Sequence, residues 1–259
     1  MKEQEIEILI ENNLHNLYRF VAEKCNLPYV KTDFCEWIHA SPSPWPDYVF
    51  GADFSKINIE NALNEIHNNL LLNKAPSFLI DKHSTQSSRL CETASKNNFR
   101  LIIQWPGMAL SLADFVLQPN LNKDLNIEVV SEQKSMKEWT NIVNHELFPN
   151  HNFDTVFFEG LLNSDEVVLL LGKINNIPVS TSMLFLKNSV AGIYMVATSR
   201  NYRKNGIAQT MTNEAIKLSL VKKCDYVVLE ANKESHSLYH KMGFKTFCTF
   251  DIYWKLPTV

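Results

Sequence analysis

The stretch that decides the fold is Val196-Ala197-Thr198-Ser199-Arg200-Asn201-Tyr202-Arg203-Lys204-Asn205-Gly206-Ile207-Ala208. Apolar residues over 190–197 predict a strand before the turn, and the amphipathic pattern of residues 206–222 predicts a helix after it. A helix that begins in such a turn leaves the first N–H groups without acceptors, and its dipole favours an anion there. Gly206 and Ala208 are small enough for a phosphate to approach the backbone, and the cationic side chains before them add donors. Taken alone, the stretch also fits an ordinary strand-to-helix connection with a cationic surface.

A second motif follows as Asn232-Lys233-Glu234-Ser235-His236-Ser237-Leu238-Tyr239-His240-Lys241-Met242-Gly243-Phe244. Residues 226–230 predict a strand that leads into it, and residues 234–242 predict a short helix. The helix ends at Gly243, because glycine adopts the left-handed conformation beyond a helix end without strain. The two motifs therefore sit at equivalent points, each directly after a predicted strand.

Together the motifs resemble the two acyl-CoA motifs of the GCN5-related N-acetyltransferase (GNAT) superfamily, over roughly residues 123–259. The resemblance implies acetyl-CoA (coenzyme A) as co-substrate, with the backbone of Val196 and Thr198 on the pantetheine arm and the following loop on the pyrophosphate. Asn232 would contact the pantetheine or support the site. The sequence departs from the family at Lys204, where glycine is frequent, but no backbone amide is lost. The residues assigned to the cofactor by this resemblance are Val196, Ala197, Thr198, Arg203, Lys204, Asn205, Gly206, Ile207, Ala208 and Asn232.

The resemblance also implies a catalytic role for Tyr239, whose hydroxyl would face the thioester sulfur. A neutral amine attacks the thioester carbonyl, an N–H donor stabilises the oxyanion, and the departing thiolate needs a proton. A tyrosine hydroxyl, with a reference pKa of about 10, is neutral at pH 7 and can donate that proton. A packing aromatic with its hydroxyl at the surface is the alternative interpretation.

The general base is left open by the sequence. Glu230, His236 and His240 are close to the site in sequence, although Glu230 directly follows a strand and the histidines also fit a solvated helix face. A water chain that relays the proton is a further alternative. Weaker candidates come from the region that lines the acceptor site in such proteins: His145, His151 and Asp154.

The rest of the second half predicts an α+β domain. Short turns join three of its strands, which predicts an antiparallel meander. We therefore expect a three-layer GNAT fold, with a central mixed, mostly antiparallel sheet flanked by helices. The predicted strands are 126–130, 166–173, 179–186, 190–197, 226–230 and 244–255, and the predicted helices are 133–147, 206–222 and 234–242.

The first half echoes the second faintly. In both halves, a helix ends in Asn or Gly and a Phe then begins a strand. No glycine occurs between Gly51 and Gly107, so the first half has no counterpart of the pyrophosphate loop. We expect a degenerate GNAT-like half over residues 1–122, a linker at 118–123 and the acetyltransferase domain over 123–259. The alternative is that the similarity between the halves is a chance match of helix and strand patterns. The strand over 99–105 is predicted to end at Pro106-Gly107, and residues 108–115 are left open as its resumption. The aligned pairs are Phe99 with Phe244, Asn98 with Gly243, Lys96 with Lys241 and Ala94 with Tyr239.

Composition excludes several classes of function. The 259 residues carry a formal net charge of −3 without a long basic run, so neither a nucleic acid nor an anionic membrane is an expected partner. No apolar run reaches the ~18 residues of a membrane span, and residues 1–10 are amphipathic rather than a signal peptide. The five cysteines are scattered and never form a CxxC pair, so we expect no metal, no disulfide framework and a cytoplasmic location.

The sequence thus predicts an N-acyltransferase that moves an acetyl group from acetyl-CoA to a primary amine. The acceptor, a small molecule or a peptide, is not encoded in the cofactor motifs, and a monomer and a homodimer are both compatible. The alternative is an acyl-CoA-binding sensor or scaffold that keeps the fold without turnover.

Overall fold

The computed structural model describes residues 2–256 apart from 42, 85, 86, 114, 152, 154 and 163, so the candidate base Asp154 lies outside the described residues. A short 3-10 helix spans Arg200–Tyr202. The α-helices are α1 (Glu3–Lys24), α2 (Ile59–Leu71), α3 (Ser87–Lys96), α4 (Gln133–Leu147), α5 (Thr155–Leu162), α6 (Ile207–Val221) and α7 (His236–Lys241). The strands are β1 (Tyr29–Lys31), β2 (Glu36–Ile38), β3 (Tyr48–Phe50), β4 (Phe78–Lys82), β5 (Phe99–Ser111), β6 (Asn126–Val129), β7 (Val167–Ile174), β8 (Ile177–Lys187), β9 (Val190–Thr198), β10 (Tyr226–Glu230) and β11 (Lys245–Lys255).

The second half has the architecture that its sequence predicts. β7, β8 and β9 form an antiparallel meander, and left-handed residues make its two turns: Asn175 and Asn176, then Asn188 and Ser189. Asn tolerates this backbone conformation better than most residues. α6 carries the chain from β9 to β10, which pairs with β9 in parallel. The α+β prediction with a mixed sheet is confirmed, and α5 is the helix that the sequence analysis missed.

One sheet runs through both halves in the order β1-β2-β3-β4-β11-β5-β10-β9-β8-β7-β6. The halves exchange strands at its centre: β5 of the first half pairs with β10 and β11, and β11 of the second half pairs with β4 and β5. The division at residue 122 therefore separates two stretches of sequence whose strands share one hydrogen-bonded ladder.

The order of elements in the first half repeats that of the second. β1, β2 and β3 form an antiparallel meander, α2 follows, and β4 lies parallel to β3, as β10 lies parallel to β9. A short helix then leads into a long strand in each half. Asn98 and Gly243, at the ends of those helices, have φ of 58° and 98° and each donates its N–H to the carbonyl three residues before. The strands of the first meander have three residues each, too few for a pattern to reveal, and the sequence analysis missed them.

The predicted end of a strand at Pro106-Gly107 is wrong. β5 continues through both residues to Ser111. Pro106 has no N–H to donate, and the strand tolerates it because the pairing of β5 with β11 is irregular here, between Thr246 and Cys248. Gly107 allows a close approach here, since an added Cβ would lie 2.5 Å from the Cys248 Sγ. The Pro106 carbonyl also accepts a hydrogen bond from the Ala231 N–H at 2.9 Å.

The helices cover the sheet on both faces. α1, α4 and α5 bury their apolar residues in one cluster, whereas α6 and α7, and separately α2 and α3, pack on the opposite face. Ile10, Leu17 and Val21 of α1 are fully buried, and each contributes roughly 1.5–3 kcal/mol by leaving water. Because α1 contacts β5, β9, β10 and β11, the first half forms part of the core beneath the second. None of the described helices combines the length and the apolar character that crossing a membrane requires.

Candidate functional site

A wedge opens between β9 and β10 where the two strands stop pairing. Their parallel ladder ends at Gly192 and Val228, although β9 continues beside β8 to Thr198 and β10 continues beside β5 to Glu230. Met195 has a φ of 49°, and the register between β8 and β9 shifts at this point. Such a bulge bends a strand locally. We call the gap between residues 193–198 and 229–230 the β9–β10 wedge.

The backbone of Val196 and Thr198 faces this wedge. The Ser199 N–H donates to the Val179 carbonyl of β8 at 2.8 Å. Neighbouring residues of a strand direct their N–H and C=O groups to opposite sides, so Val196 and Thr198 present theirs to the gap while Ala197 faces β8. The Thr198 carbonyl already accepts a hydrogen bond from Arg203 Nε at 3.0 Å. Apart from that carbonyl, the geometry gives an extended ligand a strand edge that no neighbouring strand pairs with.

The N-terminus of α6 is open at the end of the wedge. Gly206 is its N-cap with a φ of 72°, and no side chain caps the first N–H groups. The first backbone hydrogen bond of the helix runs from the Thr210 N–H to the Gly206 carbonyl at 3.0 Å, so the amides of Ile207 and Ala208 have no intrahelical acceptor. A helix of this length favours an anion at such an end.

The loop before α6 is held in place by an acid that the sequence analysis did not identify. Glu146 of α4 pairs with Arg203 Nη2 at 2.7 Å and accepts the Arg200 N–H at 3.2 Å. Arg203 therefore ties the end of β9 to α4 as well as lying beside the helix end. Lys204, left-handed with a φ of 64°, is exposed and has no ion pair with a described residue. Asn205 donates from its side chain to the Tyr202 carbonyl at 3.3 Å.

α7 presents the second motif on the same face of the sheet as α6. Asn232 and Ser235 bond to each other in the turn before it, with the Ser235 N–H 2.8 Å from Asn232 Oδ1 and the Asn232 N–H 3.2 Å from Ser235 Oγ. Tyr239 is buried, and its ring meets Phe244 edge-on with centroids 5.8 Å apart. Burial raises the pKa of Tyr239 to about 12, so its hydroxyl keeps the proton at any physiological pH.

The Acetyltransferase (GNAT) family model matches residues 133–244, which span the wedge, the α6 loop and α7. Residues 133–244 form a GNAT domain.

The fold of the whole chain resembles solved GNAT structures at low sequence identity. A GCN5-related N-acetyltransferase from Kribbella flavida superposes with a TM-score of 0.69 at 12% identity, over 93% of this chain and 96% of that one. A GCN5-related N-acetyltransferase from Sphaerobacter thermophilus gives 0.63 at 14% identity, over 82% and 73%. A functionally unknown conserved protein from Staphylococcus epidermidis gives 0.62 at 13% identity, over 88% and 93%. No curated protein matches the sequence.

Glu230 lies at the mouth of the wedge in the GNAT domain, as the last residue of β10. Its Oε1 is buried and has no hydrogen-bond partner among the described residues, and burial raises its pKa to about 8. Burial, and then the Glu230 charge, raise the pKa of Tyr194 well above its usual value. A carboxyl group in this state takes up a proton readily near neutral pH.

The other candidate bases lie in different settings. His236 shares a 3.0 Å hydrogen bond with Thr246 Oγ1, and His240 is exposed on α7. His145 is exposed with Nδ1 2.6 Å from the Asn141 carbonyl, and His151 is exposed beyond α4. Of these described candidates, Glu230 is the one that places a buried, unbonded oxygen at the wedge.

The first half supplies one wall of the wedge, which no local sequence signal indicated. The Tyr194 hydroxyl donates to Asn13 Oδ1 of α1 at 2.7 Å. A Cβ added at Gly192 would lie 2.1 Å from the same oxygen, so glycine is required for α1 to pack this closely. The GNAT domain therefore has its Glu230 side covered by α1.

The segment predicted as a linker packs along α6. The Leu121 N–H donates to Gln209 Oε1 at 3.1 Å, and Asn122 Nδ2 donates to the Asn205 carbonyl at 3.0 Å. A Cβ added at Gly206 would lie 2.5 Å from the Leu121 Cβ. Replacing Gly206 would therefore disturb this segment and the left-handed backbone together, whatever it did to a bound phosphate.

Proposed function

We propose that this chain is an acyl-CoA-dependent N-acyltransferase that transfers an acetyl group from acetyl-CoA to a primary amine. The observation that carries the proposal is the β9–β10 wedge, whose unpaired strand edge leads to the open N-terminus of α6. The backbone of Val196 and Thr198 would hold the pantetheine arm in the manner of an added strand. The amides of Ile207 and Ala208 would hold the pyrophosphate.

The residues around the wedge suit the proton transfers of this reaction. Glu230 would accept a proton from the attacking amine, since a base is most effective with a pKa near the operating pH. The amine nitrogen forms the amide bond as the carbon–sulfur bond breaks. Tyr239, protonated throughout the neutral range, would give its proton to the departing thiolate. By alternation along β10, Glu230 lies with Val228 on the α1 face of the sheet, whereas Tyr239 lies among the residues beneath α6 on the other face.

The first half, residues 1–122, we propose to be a copy of the second that has lost the acyl-CoA site. The repeated order of elements supports this, as do the left-handed Asn98 and Gly243 at matching helix ends. At the N-terminus of α2, the Asn58 side chain accepts the Glu60 N–H at 2.9 Å. A phosphate at this helix end would have to displace that cap, whereas the N-terminus of α6 carries no side-chain cap.

The test is the release of free thiol from acetyl-CoA in the presence of primary amines, with the product identified by mass. Sustained release that depends on the amine, with one amide formed per thiol, is the expected result. Tight CoA binding without turnover for any amine in a broad panel of small amines and peptides would instead favour a sensor or scaffold. An absence of CoA binding would reject both functions.

A further inference from the structure

β5 has a free edge where β10 stops beside it. β10 pairs with residues 107–111 of β5, and the Ala231 N–H then donates to the Pro106 carbonyl at 2.9 Å. Over residues 99–105, β5 pairs with β11 on one side, and no described residue forms a backbone hydrogen bond with it on the other. We call residues 99–105 on this open side the free β5 edge.

The side chains of this edge are apolar and exposed. Leu101, Ile102 and Ile103 are 39%, 49% and 39% exposed. Natural sheets protect an open edge with charged residues, proline or a covering loop, because such an edge pairs with extended chains. Arg100, at the far end of the edge, is exposed and forms no ion pair with a described residue. The edge therefore suits an extended chain that carries apolar residues and one acidic residue.

The Pro106 carbonyl shows which backbone groups the edge offers. In an antiparallel ladder the N–H and C=O of one residue point to the same side, and those of alternate residues agree. Because the Pro106 carbonyl points towards β10, the N–H and C=O of Gln104 point the same way, where no strand pairs with them. Gln104 thus offers a donor and an acceptor to a chain that lies where β10 would continue.

The free β5 edge and the β9–β10 wedge face one gap in the sheet, beyond the end of β10. β9 continues to Thr198 beside β8 after it has left β10 at Gly192. Two strand spacings of about 4.8 Å separate β5 from β9 where β10 lies between them, and the gap widens from there. A single extended chain fits on the β5 side of this gap, whereas a second copy of the protein would bring further strands and helices with its own edge.

A cavity of about 600 Å³ lies beside the edge on the α3 face of the sheet. Leu101 and Gln104 of β5 line this cavity, with Cys91 and Ser95 of α3 across from them. The side chains of an added strand alternate between the two faces of the sheet. The residue opposite Gln104 would therefore direct its side chain towards the cavity, which has room for an apolar one.

We propose that the free β5 edge binds an extended peptide as an added strand and delivers its N-terminal amine to the place of acyl transfer. A strand antiparallel to β5 runs in the direction of β10, so its first residue lies at the end of β10, beyond Glu230 and Ala231. A strand parallel to β5 would bring its carboxyl end there instead. The inference rests on the proposed function and names the acceptor: the α-amine of a peptide with apolar residues near its start and an acid opposite Arg100.

A lysine side chain is the other amine that a peptide could present. The side chains of an added strand point to the two faces of the sheet, whereas the N-terminus lies in line with β10. The α-amine is therefore the amine that reaches the end of β10 while the peptide stays paired with β5.

The test measures thiol release from acetyl-CoA by the full-length protein with two acceptors, butylamine and the peptide Ala-Val-Thr-Val-Thr-Glu-Lys amide. Fluorescein on the lysine side chain leaves the N-terminus as the one free amine and reports binding by fluorescence anisotropy. We expect saturable binding and a kcat/KM for the peptide at least ~10-fold above that for butylamine, because strand pairing adds main-chain hydrogen bonds. The same peptide with an acetylated N-terminus should bind without thiol release.

Methylated backbone nitrogens test strand pairing directly. In an added strand the N–H groups of alternate residues point to β5 and the others point away. Of two peptides N-methylated at the second or at the third residue, one should bind ~10-fold or more weakly, and the other should bind like the parent peptide. Equal binding by the two peptides would overturn the inference, whatever the stability of any variant protein.

Two variants of Gln104 test the same contact from the side of the protein. Gln104→Pro removes the N–H of the edge, at a position where strands tolerate proline. Gln104→Ala is the matched control, because it loses the same side-chain hydrogen bond to Asp251 Oδ1 but keeps the N–H. We expect the proline variant alone to weaken peptide binding by ~10-fold or more, and both to turn over butylamine like the wild type. Arg100→Glu should weaken binding by ~3-fold, and a peptide with arginine in place of its glutamate should restore it.

The outcomes separate this inference from the proposed function. No saturable peptide binding, or equal binding by the two Gln104 variants, would overturn the inference. A protein that dimerises through this edge and binds no peptide would overturn it as well. Turnover of butylamine without a preference for the peptide would overturn the inference and leave acyl transfer intact. Peptide binding that follows the predicted pattern, without thiol release from any amine, would reject acyl transfer and leave the strand-binding edge in place.

Discussion

Replacing Tyr239 by phenylalanine removes one hydroxyl and little else. With a pKa of about 12, less than about one tyrosine in 10⁴ is ionised at pH 7.5, so the wild-type hydroxyl carries its proton throughout the assay range. General acid catalysis is worth ~10²–10⁴-fold. Because solvent water can replace part of it, we expect kcat to fall by ~10²-fold, which corresponds to about 2.7 kcal/mol of transition-state stabilisation.

The fold should not change in this variant, because the hydroxyl makes no hydrogen bond with a described residue and the ring stays packed on Phe244. The free energy of unfolding should therefore shift by less than ~1 kcal/mol. Tyr226→Phe, at the far end of β10, is the matched control and should keep full activity. CoA affinity, measured by calorimetry, should be unchanged in both variants.

Thiol release over a range of pH gives the decisive comparison for Tyr239. The ratio of wild-type to variant kcat cancels the titration of Glu230, which both proteins share, and should shrink as the pH falls and solvent protons become more available. An unchanged kcat would remove Tyr239 from the mechanism. A loss that follows thermal stability and is constant with pH would show that the residue is structural.

Three further predictions follow from the same geometry. Glu230→Gln should lower kcat/KM by ~10²-fold and abolish the rise of kcat/KM with pH through about 8 that the wild type is expected to show. Because the folded protein holds the Glu230 proton more tightly than the unfolded chain, the contribution of this residue to wild-type stability is lost as the pH rises from about 4.5 to 8. Thermal denaturation should therefore find the variant more stable than the wild type at pH 9 but not at pH 4. Ala208→Asp places an anion at the N-terminus of α6, which suits the helix but repels a pyrophosphate, so CoA binding should weaken by ~10-fold or more without loss of Tm, whereas Ala208→Asn should bind nearly normally. Residues 123–259 expressed alone should fail to give a cooperative thermal transition, because β11 lies between β4 and β5 and both of those strands would be missing. In the intact chain, calorimetry should find one CoA site, and two equivalent sites would contradict the proposed loss of the phosphate site at α2.

The elements that the sequence predicts well are those whose signals are local. The 206–222 pattern and Gly206 locate α6, and the Asn175-Asn176 turn separates two strands with clear alternation. The predicted strand at 226–230 coincides with β10. Short-range periodicity and left-handed turn residues are sufficient for such elements, because the backbone conformation depends on neighbours in the chain.

Features that depend on the other half of the chain had no such signal. Asn13 and Tyr194 meet across the wedge although 181 positions separate them, and nothing near either residue indicates the contact. Pro106 looked like the end of a strand, but an irregular pairing with β11 accommodates it. Glu146 is an ordinary helix residue by pattern, and only the tertiary structure brings it to Arg203. The proposed base was open for the same reason: the burial of the Glu230 Oε1, rather than the position of this residue in the sequence, distinguishes it from the other candidates.

The most direct test of the central claim is a crystal structure of the full chain with bound CoA. We expect one molecule per chain, with its pantetheine arm along Val196 and Thr198 and its pyrophosphate on the amides of Ile207 and Ala208. The sulfur should lie within hydrogen-bond reach of the Tyr239 hydroxyl, about 3–3.5 Å, with Glu230 beyond it on the α1 side. CoA bound between β3 and β4, or with its sulfur remote from the β9–β10 wedge, would contradict the assignment of this site as the place of acyl transfer.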